Sequence, residues 1–207
     1  GGIGSRLYPY TKILPKPLIP VGEEPILTLI MQRFQRVGIN EFHVIVNHKK
    51  NLIKAYFSDS PKPYKVHFVD EDIPLGTGGG LSLLKGKLKG TFFFSNCDIL
   101  IDGDYERMYR QHMKEKNVIT MVCAVKNVVI PYGVVNMSDS GEIDSFTEKP
   151  QFSFLTNTGL YIVEPEVVEE LIEGEAISFP EIIEHYRSIG KRVGVYPISE
   201  KSWMDMG

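Results

Sequence analysis

The residues best suited to chemistry stand at the start of the chain. Gly1, Gly2 and Gly4 place three glycines within four positions, which lets a backbone turn tightly and bring its N–H groups against an anion. Arg6 follows with a fixed fork of donors matched to phosphate oxygens, and Lys16 stands between Pro15 and Pro17 as a point charge on a stiffened loop. A Gly-rich loop carrying both an Arg and a Lys is chemistry for a polyphosphate. Neither common phosphate-loop pattern fits: the dinucleotide fingerprint needs a third glycine where Leu7 stands, and the P-loop needs Gly-Lys-Ser/Thr after its second glycine.

Other residue groups carry a functional and a plain structural reading side by side. Asp98 follows the aromatic run Phe92-Phe93-Phe94 at the C-terminal end of an expected strand, where open α/β sheets place their ligands. Alone it could cap a helix starting near Asp104. Paired with Asp205 of Trp203-Met-Asp-Met-Gly207, it makes a two-carboxylate site for Mg²⁺, completed by phosphate oxygens and water. An EF-hand over Asp98, Asp102 and Asp104 fails for want of the required Gly and Glu. Leu75-Gly76-Thr77-Gly78-Gly79 reads as a glycine-rich helix entry, and Asn47-His48 as either strand-end capping or a ligand-lining loop. Glu148-Lys149-Pro150 reads as a solvated loop after a strand. Cys97 has no accompanying base and reads as a small buried filler, and His112 as part of an amphipathic helix.

These groups must be held by alternating elements. Pro25–Val37 has Ile26, Ile30, Phe34 and Val37 at helical spacing, ended by Gly38. Phe42–Asn47 reads as a buried strand, Asn51–Phe57 as a helix, Tyr64–Val69 as a strand, and the glycines from Gly76 to Gly80 as the opening of another helix. Thr91–Ser95 and Val118–Val125 read as strands around an amphipathic helix, Asp104–Lys116. Beyond Gly133 the pattern turns β-rich, with Gly133–Met137, Glu142–Phe146 and Gly159–Val163, and Ser140-Gly141 as a hairpin turn. Helices Glu166–Ile172 and Phe179–Ile189 and a strand Arg192–Tyr196 follow. Strands alternating with helices over this length argue for a doubly wound, mostly parallel sheet.

Bulk properties narrow the class. The 207 residues are 43% hydrophobic and 24% charged, enough for one large core. The net charge of −3 gives no electrostatic case for nucleic acid or an anionic membrane, and no apolar stretch approaches the roughly 20 residues of a membrane span. The two cysteines and five histidines lack disulfide or zinc spacing, and a reducing cytoplasm is the default.

The run Gly-Gly-x-Gly-x-Arg-Leu-x-Pro-x-Thr, followed by Pro-Lys-Pro-Leu-x-Pro-Val, resembles the signature of the sugar-1-phosphate nucleotidyltransferases, or nucleotide-sugar pyrophosphorylases. The resemblance continues through Leu75–Gly79, Asn96-Cys97-Asp98, Pro131-Tyr132-Gly133-Val134, Glu148-Lys149-Pro150, Asn157-Thr158-Gly159 and Trp203–Gly207, nearly the whole chain. It implies a Rossmann-like three-layer α/β/α domain with a mostly parallel, mixed sheet and a β-rich sugar-side half. It implies transfer of a nucleotidyl group from an NTP to a sugar 1-phosphate with Mg²⁺. Gly1, Gly2, Gly4 and Ser5 would wrap the triphosphate, Arg6 would stabilise the departing pyrophosphate, and Lys16 the transferring α-phosphoryl group. Asn47, Leu75, Gly76, Thr77 and Gly78 would contact the nucleotide, and Gly133, Glu148, Lys149 and Asn157 the sugar phosphate. Asp98 would be catalytic and, with Asp205, would hold the metal.

The family's first strand, usually entering Gly1 through Leu-Ala, and a helix after Gly207 are expected to flank this single domain, 1–207. Further domains and a homo-oligomer stay open. Leu-Gly-Thr-Gly-Gly with Val-Asn-His and Pro-Tyr-Gly-Val-Val resembles bacterial enzymes of the mannose-1-phosphate guanylyltransferase type, which implies guanine over dTTP or UTP. The rival readings are a regulatory domain that holds a nucleotide-sugar without turnover and a nucleotidyltransferase for another phosphate acceptor.

Overall fold

The first described helix shows how local sequence sets the architecture. In the computed structural model, which describes residues 9–59 and 62–206, a short antiparallel ribbon of β1 (Pro20–Val21) and β2 (Glu24–Pro25) turns at Gly22 and feeds α1 (Ile26–Gln35). Ile26, Leu27, Ile30, Met31 and Phe34 are buried along α1, and Gly38 at φ +86° terminates the turn after it. The chain then runs through β3 (Glu41–Val46), α2 (Lys50–Ser58) and β4 (Lys65–Asp70), with β3 and β4 parallel. A 3-10 helix, Gly79–Leu84, leads to β5 (Phe92–Ser95), β6 (Ile99–Ile101), α3 (Tyr105–Glu115) and β7 (Ile119–Val129). The hairpin β8 (Val134–Met137) and β9 (Ile143–Thr147) precedes β10 (Gln151–Val163), α4 (Pro165–Glu170), α5 (Phe179–Ser188), β11 (Val193–Ser199) and β12 (Trp203–Asp205).

The largest sheet among the described residues has the order β11-β7-β10-β5. β11 runs parallel to β7, whereas β10 is antiparallel to both β7 and β5. The sheet is therefore mixed. The parallel pair β3–β4 is joined through the helix α2, whereas β10 returns from the β8–β9 hairpin excursion antiparallel to β7.

Strand alternation builds a layer on each face. Tyr161 and Val163 of β10, with Phe92 and Phe94 of β5, pack against Val167 and Val168 of α4 and Phe179, Ile182 and Tyr186 of α5. Leu160 and Ile162, with Phe93, pack instead against Ile26, Ile30 and Phe34 of α1 and Tyr105 and Met108 of α3. The period of two thus sorts one strand's side chains into two cores, giving three layers.

Two expected elements differ in extent or type from the sequence reading, which also lacks the short strands β6 and β12. The strand expected over Gly159–Val163 begins eight residues earlier, at Gln151. Its first half is exposed and carries no burial alternation, so no apolar face marks it. The glycines from Gly76 do not open an α-helix but lead to six residues of 3-10 helix, because Gly78 and Gly79 are tied to the Ile177 carbonyl. His112 is fully buried on α3, its ring between Thr120 (2.7 Å) and Glu164 (3.0 Å), a structural polar link.

Ile162 has no exposed surface and faces the α1–α3 layer. Ile162→Ala is expected to lower unfolding free energy by about 2–5 kcal/mol. Ile143→Ala, at a side chain 70% exposed on β9, should stay within about 0.5 kcal/mol. Denaturant titration of the intact protein distinguishes them; equal losses would contradict the layer assignment.

Candidate active site

The loop after Pro15 is fixed by its prolines. Pro15 is buried with φ −65°, and a single 3-10 turn, Lys16–Leu18, follows with Leu18 and Ile19 packed inside. Lys16 is thereby presented on a short, anchored segment, and its ammonium forms an ion pair with the Asp98 carboxylate. Both side chains are largely withdrawn from solvent, 13% and 19% exposed, so their attraction is weakly screened.

Asp98 lies in the turn between β5 and β6. Asp205 reaches the same place through the β12–β6 ladder, in which Asp205 is paired with Ile99 and the Met206 amide donates to the Asp98 carbonyl at 2.9 Å. A small cleft beside them is lined by Lys16, Ile19, Val21, Ile26, Asp98 and Met206. The second carboxylate oxygen of Asp98, Oδ1, is buried without a hydrogen-bond partner among the described residues. A buried carboxylate oxygen left unmatched is costly, and a cation relieves that cost. Among the described residues no group of three or more His, Cys, Asp or Glu side chains is arranged for a metal. A pair of carboxylates is a donor set that suits a hard cation such as Mg²⁺ when phosphates and water supply its remaining oxygens.

A bulge in β10 brings a second motif onto this turn. The register with β7 shifts between Asn157 and Leu160, and Gly159 takes φ +85°. A Cβ on Gly159 would stand 2.6 Å from the Asn96 amide nitrogen, and Asn96 N–H donates to the Gly159 carbonyl at 3.0 Å. Only glycine admits both the dihedral and the approach. Asn157 organises the bulge: its Oδ1 accepts from Gly159 N–H at 2.9 Å and its Nδ2 donates to the Tyr161 hydroxyl at 2.6 Å. Cys97, between Asn96 and Asp98, is pushed up to about 11 by burial and by the Asp98 charge, so it is a thiol and not a nucleophile near neutrality.

Gly133, Glu148 and Lys149 gather at the foot of the β8–β9 hairpin. A Cβ on Gly133 would meet the Phe146 ring at 2.6 Å and a Glu148 carboxylate oxygen at 3.1 Å. Lys149 holds φ +45°, and its N–H donates to the Tyr132 carbonyl at 3.3 Å. A left-handed lysine is a strained conformation of the kind that clusters where ligands are clamped. All three residues are exposed.

The Leu75–Gly79 loop is docked on the chain before α5. The N–H groups of Gly78 and Gly79 donate to the Ile177 carbonyl, Ile177 N–H donates to the Leu75 carbonyl, and Thr77 Oγ1 accepts from Phe179 N–H. A Cβ on Gly76 would lie 2.7 Å from the Ile177 carbonyl oxygen, and one on Gly78 2.6 Å from Ile182. Close packing alone thus requires these glycines, while Gly76 and Thr77 keep an exposed face.

Two further residues wall the same side. Asn47 follows β3 and has a buried amide nitrogen with no partner among the described residues. Glu71, absent from the sequence reading, follows β4 and is only 5% exposed. Its N–H donates to the Val46 carbonyl at 2.8 Å, and its carboxylate accepts from Leu75 N–H at 3.2 Å. Within the acidic run Asp70-Glu71-Asp72 it looks like a solvated residue; the flanking aspartates do pair with Lys54 and Lys50, leaving Glu71 turned inward. The residues Gly1, Gly2, Gly4, Ser5 and Arg6 lie outside the described residues.

The family model described as "Nucleotidyl transferase" matches residues 1–207. The D-glycero-alpha-D-manno-heptose 1-phosphate guanylyltransferase of Campylobacter jejuni is 29% identical over 95% of this chain and 88% of its own length. A mannose-1-phosphate guanyltransferase of Aspergillus oryzae is 31% identical over 100% of this chain but only 59% of its own length. HddC from Yersinia pseudotuberculosis, solved in complex with GMP-PN, superposes with a TM-score of 0.73 at 21% identity, covering 100% of this chain and 90% of that one. With the matched family spanning every residue, this chain belongs to the nucleotidyl transferases.

Proposed function

We propose that this domain transfers a guanylyl group from GTP to a sugar 1-phosphate, releasing pyrophosphate and forming a GDP-sugar. One observation carries the reading: Lys16 and Asp98 form a largely buried pair whose second carboxylate oxygen has no partner among the described residues, with Asp205 paired one register position away.

The chemistry is an in-line displacement. A phosphate oxygen of the sugar 1-phosphate forms a bond to the α-phosphorus of GTP as the bond to the β-phosphate bridging oxygen breaks. That nucleophile is already anionic near neutral pH, so no general base is needed. Lys16 would exchange its Asp98 contact for an α-phosphate oxygen, and Arg6 is assigned to the pyrophosphate leaving group. Asp98 and Asp205 would hold Mg²⁺, which when bound neutralises phosphate charge and fixes its geometry. Gly133, Glu148, Lys149 and Asn157 are assigned to the sugar phosphate, Glu148 as an acceptor for hydroxyls and Lys149 as the cation. Catalysis would then be positioning and preorganised charge, without a covalent intermediate. A sensor domain would have no need of paired carboxylates and cations together.

The guanine preference is supported by Glu71 and by the guanylyltransferase relatives. Guanine offers adjacent N–H and NH₂ donors, which a buried carboxylate can accept together; uracil and thymine present a single N–H between two carbonyls. Asn47, Leu75, Gly76, Thr77 and Gly78 line the same side. No helix among the described residues is long and apolar enough to cross a membrane, and we assign the reaction to the cytoplasm.

The decisive test is pyrophosphate release from each NTP against several sugar 1-phosphates, with the intact protein. GTP is expected to be preferred, and Glu71→Gln should lower kcat/KM for GTP by roughly tenfold or more while affecting UTP less. A wild-type preference for UTP or dTTP would overturn the base assignment.

Lys16→Ala is expected to reduce kcat by about 10²-fold, the scale of one preorganised electrostatic contact, and Asp98→Asn to abolish Mg²⁺-dependent turnover with the fold retained. Circular dichroism with steady-state kinetics checks both. A Lys16 effect confined to KM, or activity that survives EDTA, would refute the assigned roles.

Lys149→Ala should raise the dissociation constant for the sugar 1-phosphate roughly ten- to hundredfold and leave that for GTP nearly unchanged. Separate calorimetric titrations read this; an unaltered sugar-phosphate affinity would return Lys149 to the role of a solvated loop residue.

A further inference from the structure

We infer that Lys49 is a positioning residue that ties the arm bearing Lys16 to the base-binding side of the site, an inference that rests on the nucleotidyl-transfer reading. The tie acts on the stretch ahead of the anchored Lys16 turn. The 3-10 turn of that stretch, Tyr10–Lys12, buries none of its residues, and Tyr10 and Ile13 are 68% and 77% exposed. Among the described residues of the arm, burial begins at Pro15 and Leu18. Within the turn, Lys12 N–H donates to the Pro9 carbonyl, and the N–H groups of Ile13 and Leu14 both donate to that of Tyr10. None of these bonds within the turn goes to the carbonyls of Thr11 and Lys12 at its C-terminal end.

Lys49 supplies the donor. Its ammonium donates to the Thr11 carbonyl at 2.8 Å and to the Lys12 carbonyl at 2.6 Å. A cation at the carbonyl end of a helical turn has the favourable sign, and its hydrogen bonds are charge-assisted. The backbone of Lys49 is itself unusual, with φ 53° and ψ 31°, a left-handed conformation at the start of α2 that residues bearing a Cβ adopt at a cost. Its neighbour Lys50 follows the ordinary course, pairing with Asp70 and Asp72. Strain is thus concentrated on the lysine that crosses to the arm.

The placement explains what the tie would accomplish. Lys49 stands two residues after Asn47, on the base side, whereas the arm it holds continues to Lys16, on the phosphate side. A nucleotide must reach both at once. Fixing their separation before binding lowers the ordering cost charged to the nucleotide and leaves the sugar phosphate, held at the β8–β9 hairpin, unaffected.

The test uses the intact protein with Lys49→Met, which keeps length and loses the donors, and Lys49→Arg, which keeps them. Hydrogen exchange of the amides of residues 10–14 without substrate should quicken roughly tenfold or more in Lys49→Met and stay near wild type in Lys49→Arg. The KM for GTP should rise about tenfold in Lys49→Met, with the KM for the sugar 1-phosphate within about twofold and the arginine variant restoring the GTP value. Unchanged exchange at 10–14 would overturn the tie. Faster exchange with an unaltered GTP KM would overturn its role in nucleotide binding. A wild-type protein inactive with every NTP would instead refute the reading on which the inference rests.

Discussion

β10 must satisfy two cores and a site along a single strand. Leu160 and Ile162 face the α1–α3 layer, while Tyr161 and Val163 face the α4–α5 layer. Neither layer can slip by one residue without exchanging every side chain between cores. The bulge between Asn157 and Leu160 ends this buried stretch and re-aims the chain. Gly159 then sits directly on Asn96, so the position of the Asp98 turn depends on a dihedral that only glycine holds easily. The site is therefore keyed to the strand that sets the packing.

Electrostatics divide the site into two centres with different solvent. Lys16 and Asp98 are mostly withdrawn from water, where charge interactions are strong and an unmatched oxygen is expensive. Lys149, Glu148 and Gly133 occupy the foot of an exposed hairpin. The first arrangement suits phosphoryl transfer, which gains from preorganised charge in a low-dielectric cleft. The second suits a hydroxylated, charged substrate that must enter and leave. The glycines of Leu75–Gly79 serve a third need, since backbone and side chains of the segment before α5 occupy the space their Cβ atoms would take.

The residues on the page show what was legible in advance. Helical spacing located α1 and α3, and apolar runs located β3, β5 and the start of β7, because those elements bury one face or both and leave a periodic trace. The extra length of β10 was hidden, since Gln151 to Leu155 lie in solvent and no burial constrains their pattern. β6 and β12 were also missed. Each is three residues long, and they exist as strands because they pair with each other across about a hundred positions of sequence. Glu71 escaped notice for a related reason: its type and neighbours suggest solvent, and only the β3–β4 pairing and the docked Leu75 loop bury it.

By itself, the sequence determined the chemical inventory and the class of fold: a glycine-rich run followed by Arg6, Pro15-Lys16-Pro17, Asp98 and Asp205, and alternating elements sized for an α/β sheet. Residue type and short-range spacing suffice for those, because they are properties of local backbone freedom and of side-chain charge. Tertiary structure alone decided which of them meet. It joined Lys16 to Asp98 across 82 positions, set Asp205 beside them through a three-residue ladder, turned Glu71 inward and carried Lys49 to the carbonyls of Thr11 and Lys12. Contacts of that separation are fixed by how layers pack, and a one-dimensional pattern holds no record of distance between segments that packing brings together.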